Sequence, residues 1–369
     1  EDIRSLEPVP PFRNSAMDGY AFRAADAGLG RLPVAATVSA GTRDVAPLAP
    51  GTAVRIMTGA PVPEGADTVA PVEDTVAEEG FVALARAPRE GAHVRQAGED
   101  IPEGGLVVPA GTLIRPAEAG VLAAIGRPAI PVHPRPRVAV LTTGNELVDA
   151  GDRPGPGQIR DANIHSLCAQ VQAAGALPLP FPRVEDTREA VAAALGRALE
   201  AADVVLTNGG ISVGDFDYIK GVLEEMGAEQ VFWRVAQKPG APLGLWMLRG
   251  RPVFGIPGNP VAAMLMVEAY VRPALRRMLG HARIHRPERT GVMGALWKRS
   301  GDPRRTEFLR VVAEPGEGGL QVRLAGPQGS GILSSLMRAN AIALVPEGLT
   351  SLAPGDPVRL QMLDEPEDH

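Results

Sequence analysis

Three apolar runs in the middle of the chain end in glycine and lead into helix-like sequence: RVAVLTTG (137–144), VVLTNGG (204–210) and RPVFGIPG (251–258). A short, uninterrupted apolar run closed by turn residues fits a strand buried on both faces. Between the first two runs, ANIHSLCAQVQAAG sets Ile164, Leu167, Cys168 and Val171 on one helical face. DTREAVAAALGRALEAA follows, where Asp186 can cap a helix and Glu189 stands at the capping-box spacing. DYIKGVLEEMG and NPVAAMLMVEAYVRPALRRMLG continue the alternation. Strand and helix in turn predict a mostly parallel sheet with helices on both faces, whose ligands bind at the carboxyl ends of the strands.

Outside this stretch the pattern changes. Residues 1 to about 135 are rich in Gly, Pro and Val, with short apolar runs closed by turn residues, and read as mostly β. PAEAGVLAAIG is the exception: Pro116 suits a first helical turn, and good helix formers run from Ala117 to Ile125 before Gly126. After HRPERT (285–290) short alternating strands return and read as a small β domain. The expected fold class is therefore multidomain α/β plus β, and 369 residues fit two or more domains.

Composition narrows the function. A net charge of −6 argues against general nucleic-acid or acidic-membrane binding, so the expected partner is a small molecule. No apolar run approaches 18 residues and no secretory segment opens the chain, which makes the cytoplasm the default. One cysteine, Cys168, excludes an internal disulfide and a thiolate metal cage. The chain starts at Glu1 and reaches PPFRNSAMDGY within a few residues, so a further N-terminal piece is expected.

Each glycine loop is a candidate anion cradle, because glycine admits close backbone approach and a helix N-terminus adds partial positive charge. The residues concerned are Thr143 and Gly144, then Gly209, Gly210, Ser212 and Gly214, then Pro257, Gly258 and Asn259. A tight strand-to-helix turn is the alternative for any single loop; three at one sheet edge outline a crevice. Walker A and GxGxxG patterns are absent. Glu146, Asp186, Asp215 and Asp217 flank the loops, and carboxylates beside a phosphate call for a divalent cation between them. Asp186 and Asp217 can alternatively cap helices, whereas Glu146 has no such local role. Lys238, one of three lysines, follows a predicted strand and suits a phosphate or oxyanion, or else a solvated loop. Asp18 and Asp100 lie in polar, glycine-flanked loops that alone would read as turns. Zinc and serine-hydrolase chemistry are not expected: no HExxH motif is present, although HARIH (281–285) has an H-x3-H spacing and GISVG (210–214) has the GxSxG spelling.

The ordered set NSAMDGYA, RIMTGAPVPEGADTV, GEDIPEG, VPAGTLI, TTGNEL, GGISVGDFDY, KPGAP and GIPGNP resembles the molybdopterin molybdenumtransferase family, which is related to the C-terminal part of gephyrin. The resemblance runs from about residue 8 to about 360. It implies an elongated homodimer of four-domain subunits, here 1–11 with 95–135 as a linker or dimerisation domain, then 12–94, 136–284 and 285–369. It also implies a reaction of adenylylated molybdopterin with molybdate, Mg2+ present, that yields molybdenum cofactor and AMP. The family's functional positions fall on Asp18, Thr58, Arg95, Asp100, Glu146, Asp186, Asp217 and Lys238, with Glu146, Asp186 and Asp217 as metal candidates. The loops bearing Asp18, Thr58 and Asp100 are expected to reach across the dimer. Pro242, Arg305 and Ser330 match the oxyanion pocket.

Two positions depart from the family pattern: Ala241 stands where KPGKP has its second lysine, and Ala262 where GxPGNPVS has its serine. Losing a cation and a hydroxyl should weaken an oxyanion site. The resemblance thus leaves open a tungstate-using paralogue, a non-catalytic pterin or nucleotide-binding module, and a hydrolase of a related nucleotide.

Overall fold

The computed structural model describes residues 1–211 and 218–364. It divides into two units, Glu1–Val132 and His133–His369.

The first unit is β-rich, as its turn-punctuated runs predict. Its six-stranded sheet runs in the order Thr68–Pro71, Gly19–Phe22, Ala53–Ile56, Arg31–Val38, Phe81–Leu84, Thr75–Glu78. Tyr20, Phe22, Leu32, Ile56, Val69 and Val82 fill the core behind it. Gly19 opens the second of these strands because a Cβ there would lie 2.0 Å from the Ala70 carbonyl oxygen. That close crossing fixes where Asp18, the preceding residue, emerges. A separate small core joins both ends of the unit: Ile3 packs with Val108, Leu122 and Ile125, the last two on or beside the helix Pro116–Ala124.

The second unit carries the α/β layer structure. Its central sheet has the order Leu177–Pro180, Arg137–Thr142, Val204–Asn208, Arg251–Ile256, Gly244–Leu248, Glu229–Trp233. The first four strands are parallel, and Gly244–Leu248 runs antiparallel to both its neighbours. Every residue of Val204–Asn208 is buried, which is what an apolar run covered on both faces requires. Helices Asn163–Ala173, Pro260–Met266 and Arg272–Met278 cover one face through Leu167, Val171, Leu265 and Leu275. Helices Arg188–Ala201 and Tyr218–Glu225 cover the other through Leu195, Leu199, Ile219 and Leu223. The helical run after Asn259 passes through a π-turn at Val267–Val271, just ahead of Pro273, which has no N–H to continue the ladder.

Because the chain moves outward from Arg137–Thr142 to Leu177–Pro180 and then returns to Val204–Asn208 on the other side, the sheet has its switch point between those two strands. The TTGNEL and NGG loops leave from there.

The remaining strands close a small barrel: Thr306–Gly316, Gly319–Leu324, Glu288–Met293, Pro357–Met362 and Ala341–Val345, the last pairing back to the first. Leu309, Val311, Val322, Ala343 and Leu360 fill it. The two-residue strand Gln237–Lys238 runs parallel to the barrel strand, with Lys238 in register with Glu307. Among the described residues no helix is long and apolar enough to cross a membrane.

Candidate active site

The three glycine loops do meet. Thr143, Gly144 and Glu146, Gly209 and Gly210, and Pro257, Gly258 and Asn259 all line one crevice of about 500 Å³ at the carboxyl ends of the parallel strands, with Asp186 on its wall. Gly209 has φ +90°, and a Cβ on it would lie 2.7 Å from the Thr143 carbonyl oxygen and 2.8 Å from Thr143 Oγ1. Only glycine lets the two loops approach so closely. Ser212, Gly214 and Asp217 lie outside the described residues, as does Asp215.

Asp186 corrects an expectation. The helix Arg188–Ala201 is capped by Thr187, whose hydroxyl accepts from Ala190 N at 3.2 Å, which leaves Glu189 one position short of the capping box. Val184 bridges alongside Thr143, so Asp186 arrives next to the TTGNEL loop. There its Oδ2 accepts from Asn145 N at 3.1 Å, while Asn145 Oδ1 accepts from Asp186 N at 3.3 Å. The acid is thereby tied to the loop that carries Glu146.

Residues that the sequence reading passed over complete the crevice. Buried Asp161 accepts from Thr142 Oγ1 at 2.6 Å and from Ile164 N at 3.0 Å, so it joins strand end to helix start. Asn163 Nδ2 donates to Asn208 Oδ1 and to Gly258 O, both at 2.7 Å, and Asn208 Nδ2 donates to Pro257 O at 2.7 Å. Backbone carbonyls at both ends of this relay fix both amides, which leaves Asn163 Oδ1 as a buried acceptor without a partner. Thr143 Oγ1 is likewise buried and unpartnered. The sequence signal was D-x-N (161–163) leading into the helix Asn163–Ala173, a pattern that also occurs at ordinary helix starts.

A second cleft of about 580 Å³ lies between the sheet and the barrel and shares Pro242, Pro257 and Asn259 with the crevice. Its wall includes Arg234, Lys238, Arg305, Arg310 and Ser330, together with Ala241 and Ala262. Lys238 Nζ is not free: it donates to Ser300 O and Oγ and pairs with Glu307 Oε1 at 3.2 Å. Arg299 holds the other oxygen of Glu307 at 3.3 Å.

In the first unit, Asp18 Oδ1 accepts from Thr58 N at 2.6 Å and from Thr58 Oγ1 at 2.8 Å. The backbone bond first, then the hydroxyl, hold this exposed carboxyl below its ordinary pKa. Arg95 belongs to a short strand, Val94–Arg95, paired with Asn14–Ser15, and Asp100 N donates to Val9 O at 3.0 Å. Asp18 and Thr58 are thus brought together; no hydrogen bond joins Asp100 to either of them. Among the described residues no group of three His, Cys, Asp or Glu side chains could hold a metal ion.

Family models match the chain in three stretches: the MoeA N-terminal region (domain I and II) over residues 1–126, a probable molybdopterin binding domain over 139–277, and the MoeA C-terminal region (domain IV) over 295–363. Molybdopterin molybdenumtransferase 2 of Mycobacterium tuberculosis is 38% identical over 375 residues, covering 98% of this chain and 91% of the relative. Molybdopterin molybdenumtransferase of Bacillus subtilis is 34% identical, covering 99% and 87%. The crystal structure of a molybdopterin biosynthesis MoeA protein from Pyrococcus horikoshii superposes with a TM-score of 0.80 at 31% identity, over 99% of this chain and 91% of that one. With near full-length relatives at this identity and all three regions matched in order, the chain belongs to the molybdopterin molybdenumtransferase family.

Proposed function

We propose that the chain is a molybdopterin molybdotransferase of molybdenum cofactor biosynthesis, which takes adenylylated molybdopterin and molybdate. The phosphoanhydride P–O bond breaks as one molybdate oxygen passes to the AMP phosphorus and AMP leaves; the two dithiolene sulfurs bind molybdenum while a second molybdate oxygen departs as water with the two thiol protons. The observation that carries this reading is the adjacency of two cavities of different chemistry. A glycine-walled crevice suited to phosphates shares Pro242, Pro257 and Asn259 with a neighbouring cleft lined by arginines and lysine. A pterin nucleotide in the first would present its reacting end to an oxyanion in the second.

Positioning and charge neutralisation suffice for this chemistry, which agrees with the absence of a nucleophile–base pair from the motifs. Thr143, Gly144, Gly209, Gly210, Gly258 and Asn259 would cradle the phosphates; Lys238, Pro242, Arg305 and Ser330 would hold the oxyanion. Glu146 and Asp186 both line the crevice. Two carboxylates would suit a magnesium ion, which takes one or two of them and completes its shell with phosphate oxygens and water; Asp217, the third candidate, lies outside the described residues. When bound, the ion would neutralise charge on the phosphoanhydride.

Asp18, Thr58, Arg95 and Asp100 would act from the partner subunit of a homodimer. The small core around Ile3 and Leu122 supports a dimerisation role for residues 1–11 with 95–135, since Leu6, Leu106, Leu113 and Ile114 expose apolar surface beside it. A mixture of inactive Asp18→Asn and Lys238→Met proteins, allowed to exchange subunits, is expected to regain activity because one site of each mixed dimer is intact. Two inactive homodimers that stay inactive after exchange would argue against a shared site.

The direct test is single-turnover AMP release from adenylylated molybdopterin with magnesium, comparing molybdate, tungstate and no oxyanion. Molybdate-dependent release with metal insertion is expected. Ala241 and Ala262 place buried methyl groups on the cleft wall, so a second reading remains specific to this chain. In that reading the substrate binds and no oxyanion triggers release, which would make the protein a binding module.

A further inference from the structure

The strand that carries Lys238, Gln237–Lys238, is only two residues long, so its ladder alone holds the lysine weakly. Successive side chains of a strand point to opposite faces. Lys238 lines the cleft, and Gln237 turns away from it into the interior, where it is 2% exposed. A buried amide is costly unless its hydrogen bonds are made, and both ends of this one are used. Tyr270 OH donates to Gln237 Oε1 at 3.0 Å, and Gln237 Nε2 donates to Pro239 O at 3.2 Å. The amide therefore spans Lys238, tied on one side to the residue after it and on the other to a tyrosine of a different element. Met266, four residues before Tyr270, brings its sulfur to 4.0 Å from Gln237 Nε2. Tyr270 belongs to the π-turn Val267–Val271, and single π-turns within α-helices recur at functional positions. Burial pushes the tyrosine pKa up, so its hydroxyl stays a donor through the neutral range.

We infer that Tyr270 and Gln237 are positioning residues for Lys238: a buried phenol–amide latch behind the cleft sets the direction of the ammonium in front of it. The inference rests on the reading of Lys238 as an oxyanion-binding residue and supplies what fixes it. Ser300 and Glu307 reach the ammonium itself, and an entering oxyanion competes with both. Once the anion has taken their place, the lysine is held from behind, through its own backbone. The pairing with Thr306 and Glu307 and the bond from Thr306 N to Ala236 O at 2.9 Å set the path of that backbone, and Gln237 is the side chain that locks it to the helix. Neither Tyr270 nor Gln237 belongs to the cleft wall, so neither touches the anion. Loosening the latch would let the ammonium drift, and a misplacement of about 1 Å can cost on the order of a hundredfold in rate.

The chain has three lysines, Lys220, Lys238 and Lys298, which makes the Lys238 side chain directly observable. In the full chain carrying 13C at lysine Cε, the Lys238 signal is identified by its loss in Lys238→Met. Its two inequivalent Hε shifts are expected to converge in Tyr270→Phe, which deletes one hydroxyl, while the Lys220 and Lys298 signals stay in place. The same variant is expected to lower kcat/KM for molybdate roughly tenfold at saturating pterin nucleotide, with pterin Kd within about twofold. Added to Lys238→Met it should slow AMP release no further, because it acts through the lysine. Gln237→Leu, which breaks both bonds, should give the same result and replaces Tyr270→Phe if that protein does not fold. An unchanged Lys238 signal in the folded variants, a Tm loss alone, or a fall in rate that multiplies with that of Lys238→Met would overturn the inference and make the pair an ordinary packing contact. The spectroscopic readout needs no turnover, so the two levels separate. A loosened Lys238 signal in a protein whose rate is indifferent to Lys238→Met, or that turns over with no oxyanion, upholds the latch and removes the lysine from the proposed reaction.

Discussion

Gly209→Val is expected to remove binding of adenylylated molybdopterin while the barrel and the first unit stay folded. Two independent costs meet at this position. The residue sits at φ +90°, where an L side chain is strained, and any Cβ would stand 2.7 Å from the Thr143 carbonyl. Neither neighbour can yield cheaply, since Thr143 N donates to Asn208 O at 3.0 Å and Thr143 itself is buried. The loop must therefore move outward, carrying its backbone N–H groups away from the phosphate positions. Loss of two charge-assisted bonds at about 1.5 kcal/mol or more each corresponds to a fall in affinity on the order of a hundredfold or greater. Gly196 is the internal control: it lies within the helix Arg188–Ala201 with nothing near its Cβ position, so Gly196→Ala should raise stability by roughly 0.5–1 kcal/mol. Calorimetric titration with the pterin nucleotide, alongside thermal unfolding, checks both. Near-parent affinity in a folded Gly209→Val protein would show that this loop does not touch the phosphates.

The crevice was legible because its signal is local. An apolar run that ends in glycine says both where a strand stops and that backbone must come close to something, and three such runs on one parallel sheet have to share an edge. Asp186 shows where local reading stops. Asp and Thr both cap helices, so the sequence DTREA permits either, and the choice is made by the bridge between Val184 and Thr143 that draws Asp186 toward Asn145. Asn163 and Asn208 are equally ambiguous in sequence; their relay exists only because the switch point brings a helix start against two strand ends. Arg310 was hidden for a different reason. Within the barrel strand Thr306–Gly316 it reads as one polar residue in FLRVV, and a strand pattern assigns such a residue to solvent. Closure of the barrel against the 326–330 loop buries it instead.

The same closure decides what Lys238 can do. From sequence it is either a phosphate or oxyanion partner or a solvated loop lysine; the parallel pairing of Gln237–Lys238 with Thr306 and Glu307 makes it an ordered cation on the wall of the cleft proposed to take the oxyanion. Its ammonium is shared by Ser300 and Glu307, and an oxyanion entering the cleft would compete with them for it. Lys238→Met is expected to lower molybdate-dependent AMP release by roughly a hundred- to thousandfold in kcat/KM, the usual cost of one donor aimed at developing charge. Stability should change little, because Glu307 keeps Arg299 at 3.3 Å and the Lys238 side chain is about a third exposed, where an ion pair is largely screened. Lys238→Arg should recover only part of the rate: a planar fork on a longer side chain cannot occupy the position of a compact ammonium held by Ser300. Unaltered kcat/KM in a folded Lys238→Met protein would remove the lysine from the reaction and leave the anion to Arg305 and Ser330. A drop in Tm of many degrees with the rate intact would instead assign Lys238 to holding the barrel against the sheet.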